Sequence, residues 1–141
     1  MIYSDGYTIF KNPSNQGGFV ITNNRGTPIF EGYFEKPNIT NNEMELRGLA
    51  KACELAKKDT KVITDSFTAY CWISNGFCKA RPDLSKVARQ ANRLLEEKNL
   101  CLTQVKRDKN KAGIYIENTH KELPEGYTEI LVKGNNKLFE F

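Results

Sequence analysis

The hydrophobic pattern of this 141-residue chain first changes period near residue 40, and that change limits the folds open to it. Before it, three runs rich in β-branched and aromatic residues, at 2–10, 18–22 and 28–34, are separated by Lys11-Asn12-Pro13-Ser14-Asn15-Gln16-Gly17 and Asn23-Asn24-Arg25-Gly26. Pro, Asn and Gly supply the dihedral angles that tight turns need, so the runs are expected as three strands of an antiparallel meander. After residue 40, Leu46, Leu49, Ala50, Cys53 and Ala56 recur at helical spacing. That helix has a marked start. Thr40 followed three residues later by Glu43 is a capping-box pattern, with the Asn41 and Asn42 amides in the first turn.

Downstream, residues 61–64 form a short apolar run suited to a buried strand, with Asp65 at its carboxyl end. Residues 66–74 read as a short helix ended by Asn75-Gly76. Pro82 and Asp83 open a strongly amphipathic helix, with Leu84, Val87, Ala88, Ala91, Leu94 and Leu95 opposite Lys86, Arg89, Arg93 and Glu97. Residues 100–105 read as a fifth strand and residues 111–119 as a last helix. A meander followed by right-handed crossovers gives an α/β fold: a five-stranded mixed sheet, three strands antiparallel and two parallel, covered by helices on both faces. Residues 1–120 are expected as one domain. Residues 121–141 form an extension in which 127–132 and 137–141 flank Lys133-Gly134-Asn135-Asn136 as a hairpin.

The net charge of +4 permits nucleic-acid binding without requiring it. Four cysteines, at 53, 71, 78 and 101, form no CxxC pair, and the lone His120 offers no zinc pattern. Reduced, mostly buried thiols in a monomeric cytoplasmic protein are expected. Met1-Ile2-Tyr3-Ser4-Asp5 does not read as a signal peptide, and no apolar stretch is long enough to span a membrane.

Three acids fall at the ends or starts of expected elements: Asp5 in the first strand, Glu45 one turn inside the first helix, and Asp65 at the end of the fourth strand. Alone, Glu45 reads more readily as a solvated first-turn carboxylate favoured by the helix dipole. Parallel strands, however, commonly gather ligands beyond their carboxyl ends, near a switch in strand order, which is where Asp65 would lie.

Ser4-Asp5-Gly6, Asn12-Pro13 followed by Gly17-Gly18, the run Thr40-Asn41-Asn42-Glu43-Met44-Glu45-Leu46, and Thr64-Asp65-Ser66 occur in this order along residues 1–120. In that ordered combination the chain resembles type 1 ribonuclease H. The resemblance implies a ribonuclease H-like fold and a metal-dependent endonuclease that cuts the RNA strand of RNA/DNA hybrids, leaving 5′-phosphate and 3′-hydroxyl ends. It further implies that Asp5, Glu45 and Asp65 bind two Mg²⁺ or Mn²⁺ ions, in keeping with the preference of hard cations for carboxylate oxygens. A non-catalytic nucleic-acid-binding module of the same fold is the alternative.

The sequence departs from the family at the fourth acid, where Asn110-Lys111-Ala112-Gly113 carries Gly in place of Asp. Glu117 lies four residues on, and helical side chains lean toward the amino end, so Glu117 is favoured as its replacement with Asp108 as the rival. The loop before it carries Lys106-Arg107-Asp108 instead of the Gly-His of many members. By resemblance Asn12, Asn41 and Asn42 contact the minor groove of the hybrid, where 2′-hydroxyls mark the RNA. Trp72 is either a platform for the DNA strand or ordinary core packing. The basic handle helix of some members is absent, which leaves Lys79, Arg81, Lys106 and Arg107 to compensate.

Overall fold

The computed structural model describes residues 1–9, 15–36, 38–119 and 131–133. The meander consists of β1 (Ile2–Ile9), β2 (Asn15–Thr22) and β3 (Pro28–Lys36), paired antiparallel in sequence. β2 begins within the expected turn because its ladder with β3 runs to Asn15↔Lys36, and cross-strand hydrogen bonds outweigh the weak strand preference of Asn and Gly. Then follow α1 (Asn41–Leu55), β4 (Lys61–Thr64), α2 (Phe67–Asn75), a 3₁₀ turn (Pro82–Leu84), α3 (Ser85–Glu97), β5 (Cys101–Gln104), a second 3₁₀ turn (Arg107–Lys109) and α4 (Lys111–Thr119). β4 is parallel to β1 and β5 is parallel to β4, which completes the expected mixed sheet. A short sixth strand, β6 (Leu131–Lys133), adds antiparallel to β3, giving the order β5-β4-β1-β2-β3-β6. The rest of the expected carboxyl-terminal hairpin lies outside the described residues.

Alternation along β2 separates the two faces of the sheet. Phe19 and Ile21 join the main core with Leu46, Leu49 and Cys53 of α1 and Ala88 and Ala91 of α3, whereas Val20 packs with Tyr7, Tyr33 and Ile116 of α4 on the other side. Burying a side chain such as Phe19 or Leu46 stabilises the fold by about 1.5–3 kcal/mol. Close approach of α1 to the sheet depends on glycine. A Cβ on Gly6 would lie 2.6 Å from the Glu45 amide nitrogen, and one on Gly48 would lie 2.7 Å from Ser4 Oγ.

The ends of α1 are fixed by side chains. Thr40 Oγ1 accepts from the Glu43 amide at 3.2 Å, as the capping pattern requires. At the other end Lys98 Nζ donates to the carbonyls of Cys53, Glu54 and Ala56, at 3.1, 2.5 and 2.9 Å, where a cation complements the helix dipole. Ser66 caps α2 through the Ala69 amide, and Gly76, at φ 76°, ends it in the left-handed conformation that Gly adopts without steric cost. All four cysteines are free; Cys53 and Cys78 are buried, Cys71 is half-buried and Cys101 is exposed. Among the described residues no helix is long and apolar enough to cross a membrane.

Candidate active site

β1 is the strand at which the sheet changes direction, antiparallel to β2 on one side and parallel to β4 on the other. Its pairing with β4 runs through Ile2↔Val62 and Tyr3↔Ile63. Asp5 follows Tyr3 and Asp65 follows Ile63 at the same interval, so the two acids face each other where the strands part, at the kind of switch point that collects ligands. α1 crosses this opening with its first turns, and the glycine contact at Gly6 brings Glu45 down onto β1, where the Gly6 amide donates to Glu45 Oε1.

One carboxylate oxygen from each of Asp5, Glu45 and Asp65 lies within 4.8 Å of the others. Asp5 and Glu45 are 6% and 5% exposed, and Asp65 is half-buried. Burial is the larger cause of a rise in the Asp5 pKa to about 7; the neighbouring Asp65 charge adds to it, and Arg107 opposes it. Glu45 is pushed well above the usual carboxylate range, again by burial first and then by Asp5. Asp65 Oδ2 is buried without a hydrogen-bond partner. Three hard oxygen donors that disfavour one another's charge, one with an unsatisfied oxygen, fit a divalent cation. They border a cavity of about 200 Å³, whose lining also includes Thr8, Asn41 and Arg107.

Position 113 adjoins this cluster. Asn110 is fully buried; its Nδ2 donates to the Ser4 carbonyl at 2.9 Å and its Oδ1 accepts from the Ala112 amide at 3.1 Å, anchoring the start of α4 on β1. A Cβ on Gly113 would consequently stand 2.9 Å from Asp5 Oδ2 and 3.8 Å from Asp65 Oδ2. The residue favoured as its replacement is not brought in. The Glu117 side chain is 60% exposed and lies 3.6 Å from Arg107 Nε, outside the acid cluster. Glu117 lies one helical turn beyond Gly113, and its carboxylate meets Arg107 instead of joining Asp5, Glu45 and Asp65. Asp108 is exposed in the 3₁₀ turn and also lies outside the cluster.

Asn41 and Asn42 are exposed at the start of α1, and Asn41 lines the cavity. Asn12 lies outside the described residues. Trp72 is half-buried and packs against the main core, while Phe67, at the start of the same helix, is 64% exposed. Arg81, read from sequence as a spare cation, is already engaged. It contacts Asp83 at 2.8 Å, the buried Glu43 at 3.5 Å and Thr40 Oγ1 at 3.5 Å, tying the α2–α3 loop to the start of α1. Arg107, named from sequence only as a cation that compensates for the missing handle, lines the acid cavity, and Asn110, given no role there, anchors α4 beside it. Asn110 opens Asn110-Lys111-Ala112-Gly113, the stretch compared with the family at the fourth acid, which was the available signal.

Comparison with known proteins agrees with this geometry. A family model described as RNase H matches residues 1–130. Among solved structures, LC11-RNase H1, isolated from compost by a metagenomic approach, is 24% identical with a TM-score of 0.58, covering 82% of this chain and 89% of that one. RNase H1 from the halophilic archaeon Halobacterium salinarum is 25% identical with a TM-score of 0.56, covering 79% and 88%. The N-terminal RNase H domain of a Mycobacterium tuberculosis protein, solved as a fusion with maltose-binding protein, is 25% identical with a TM-score of 0.56, covering 77% and 83%. No curated protein matches the sequence. A family model spanning nearly the whole chain, on a sheet whose switch point gathers Asp5, Glu45 and Asp65, places this chain in the RNase H family.

Proposed function

We propose that the chain is an endonuclease that hydrolyses the RNA strand of RNA/DNA hybrids, with Asp5, Glu45 and Asp65 holding two Mg²⁺ or Mn²⁺ ions. The observation that carries this reading is the convergence of three carboxylates within 4.8 Å, one oxygen of which lacks a partner. A related structure, LC11-RNase H1, was solved in complex with an RNA/DNA hybrid. In the reaction a water oxygen bonds to phosphorus, the P–O3′ bond breaks, and the departing oxygen takes up a proton, leaving 3′-hydroxyl and 5′-phosphate ends. Bound divalent ions supply Lewis-acid stabilisation of the developing charge and lower the pKa of the attacking water.

The chain's own residues do the rest. Asp5 is fixed by β1, and Glu45 is fixed by α1 and by the Gly6 amide, so the donors stand in place before substrate arrives. The exposure of Asn41 and Asn42 at the start of α1, with Asn41 lining the cavity, supports a role for the pair in reading the 2′-hydroxyls of a bound hybrid. The missing donor at Gly113 favours a second reading, a module that binds hybrids without cutting them.

Incubation of end-labelled hybrid with the protein in Mg²⁺ or Mn²⁺ separates the two. Cleavage confined to the RNA strand, with 5′-phosphate ends and dependence on Asp5, is the expected result. Binding without cleavage at high enzyme and in either metal would leave the binding module as the correct reading.

A further inference from the structure

We infer that Arg107 is the side chain of this site that contacts the scissile phosphate, and that Glu117 holds it at the rim of the cavity until the substrate arrives. The inference rests on the nuclease reading above. Among the described residues lining the acid cavity, Arg107 is the one basic side chain, and it lies there with Asp5, Glu45 and Asp65. A phosphodiester entering that cavity brings a further negative charge among three carboxylates, and Arg107 is the protein's own counterweight.

The position of Arg107 follows from the fold. Arg107 opens the 3₁₀ turn Arg107–Lys109, whose end is closed by the Asn110 amide donating to the Arg107 carbonyl at 3.1 Å. Asn110 is in turn locked to β1 through the Ser4 carbonyl, so the guanidinium is delivered to the cavity by a rigid support although the side chain itself is 76% exposed. Its partner is of the right strength to be exchanged. The Arg107–Glu117 contact, at 3.6 Å between two exposed side chains, belongs to the class of surface ion pairs that contribute little. A phosphate offers the planar guanidinium a bidentate, charge-assisted pair instead. Glu117 then has a role without being a metal ligand: it gives Arg107 a weak partner at the rim that a substrate phosphate can replace.

The test measures hybrid affinity against salt concentration in the absence of divalent cation, together with steady-state cleavage in Mg²⁺. Arg107→Gln is expected to weaken metal-free binding roughly tenfold and to reduce the slope of log affinity against log salt by about one. Arg107→Lys is expected to restore the slope but to cleave more slowly than the wild type at saturating hybrid, because an ammonium keeps the charge and loses the fork. Glu117→Gln is expected to bind hybrid at least as tightly as the wild type, with unchanged dependence on Mg²⁺. Wild-type slope and affinity in Arg107→Gln would overturn the assignment, as would a Glu117→Gln protein that needs more Mg²⁺ for the same rate. A wild-type protein that neither binds nor cuts hybrid overturns the nuclease reading itself, whereas an active wild type with an indifferent Arg107→Gln overturns only the role of Arg107.

Discussion

Gly113 faces Asp5 so closely that a Cβ on residue 113 would stand 2.9 Å from Asp5 Oδ2. The position is a gap in the donor set and also a close approach of α4 to β1. Gly113→Asp adds a fourth carboxylate there, and in the metal-free protein it should destabilise the fold by roughly 1–3 kcal/mol through repulsion with Asp5 and Asp65. A divalent cation reverses the sign of that interaction. The variant should accordingly melt several degrees below the wild type in EDTA and gain more than the wild type on addition of Mn²⁺. Thermal melts in the two conditions check this, and equal Mn²⁺ gains for both proteins would contradict it.

Stability of the metal-free protein should fall as the pH rises from about 4 to about 7. Asp5 ionises near 3.8 in the unfolded chain but holds its proton up to about 7 in the fold. Across that window the folded state binds more protons, so its advantage is complete at the acid end and is lost as Asp5 ionises. Glu45, raised by the same burial, acts in the same direction. Urea melts in EDTA should show a lower midpoint at pH 8 than at pH 5. Asp5→Asn should flatten the difference while reducing cleavage by at least about a thousandfold, the scale of loss expected for a group acting on the transition state.

Arg81 ties the α2–α3 loop to the carboxylate of Glu43, a side chain only 1% exposed, and to the hydroxyl that caps α1. Arg47 also pairs with Glu43, at 2.9 Å, so Arg81→Met removes one cation from a buried acid without leaving it unpaired. A loss of about 1–2 kcal/mol is expected, seen as a lower midpoint in urea. Because the loop and the start of α1 are loosened together, KM for hybrid should rise with little change in kcat. The salt slope should stay at the wild-type value, since Arg81 is engaged within the protein; a slope reduced by about one would instead make Arg81 a phosphate contact.

Trp72 and Phe67, both in α2, should respond differently to truncation, because Trp72 packs against the core and Phe67 is exposed. Trp72 is half-buried against the core, so Trp72→Ala should cost roughly 2–3 kcal/mol, below the usual penalty for a fully buried aromatic. Trp72→Phe should be mild, with hybrid affinity unchanged. Phe67→Ala, at a site 64% exposed, should leave stability within about 0.5 kcal/mol. Chemical denaturation of the three variants checks the contrast, and a Trp72→Ala protein as stable as the wild type would refute the packing assignment.

The amino-acid sequence by itself determined those features that are settled within a few residues: the turn before Pro28, the cap at Thr40, the stop at Gly76 and the amphipathic face of α3. These follow from local dihedral preferences and hydrophobic period, and the ordered motifs around Asp5, Glu45 and Asp65 pointed to acids at the ends of elements. Only the tertiary structure decided which of them meet. Glu117 and Gly113 lie on one helix at a spacing that allowed a reach toward the sheet, but the direction of a side chain from α4 is set by how Asn110 anchors that helix on β1. Trp72 and Phe67 lie in one short helix, and which of them faces the core depends on the packing of α2 against α1 and α3. Arg107 is separated from Asp5 by most of the chain, and the β1–β4 switch brings both to one cavity. Electrostatic and packing terms of this kind depend on distance in space, which sequence neighbourhood does not encode.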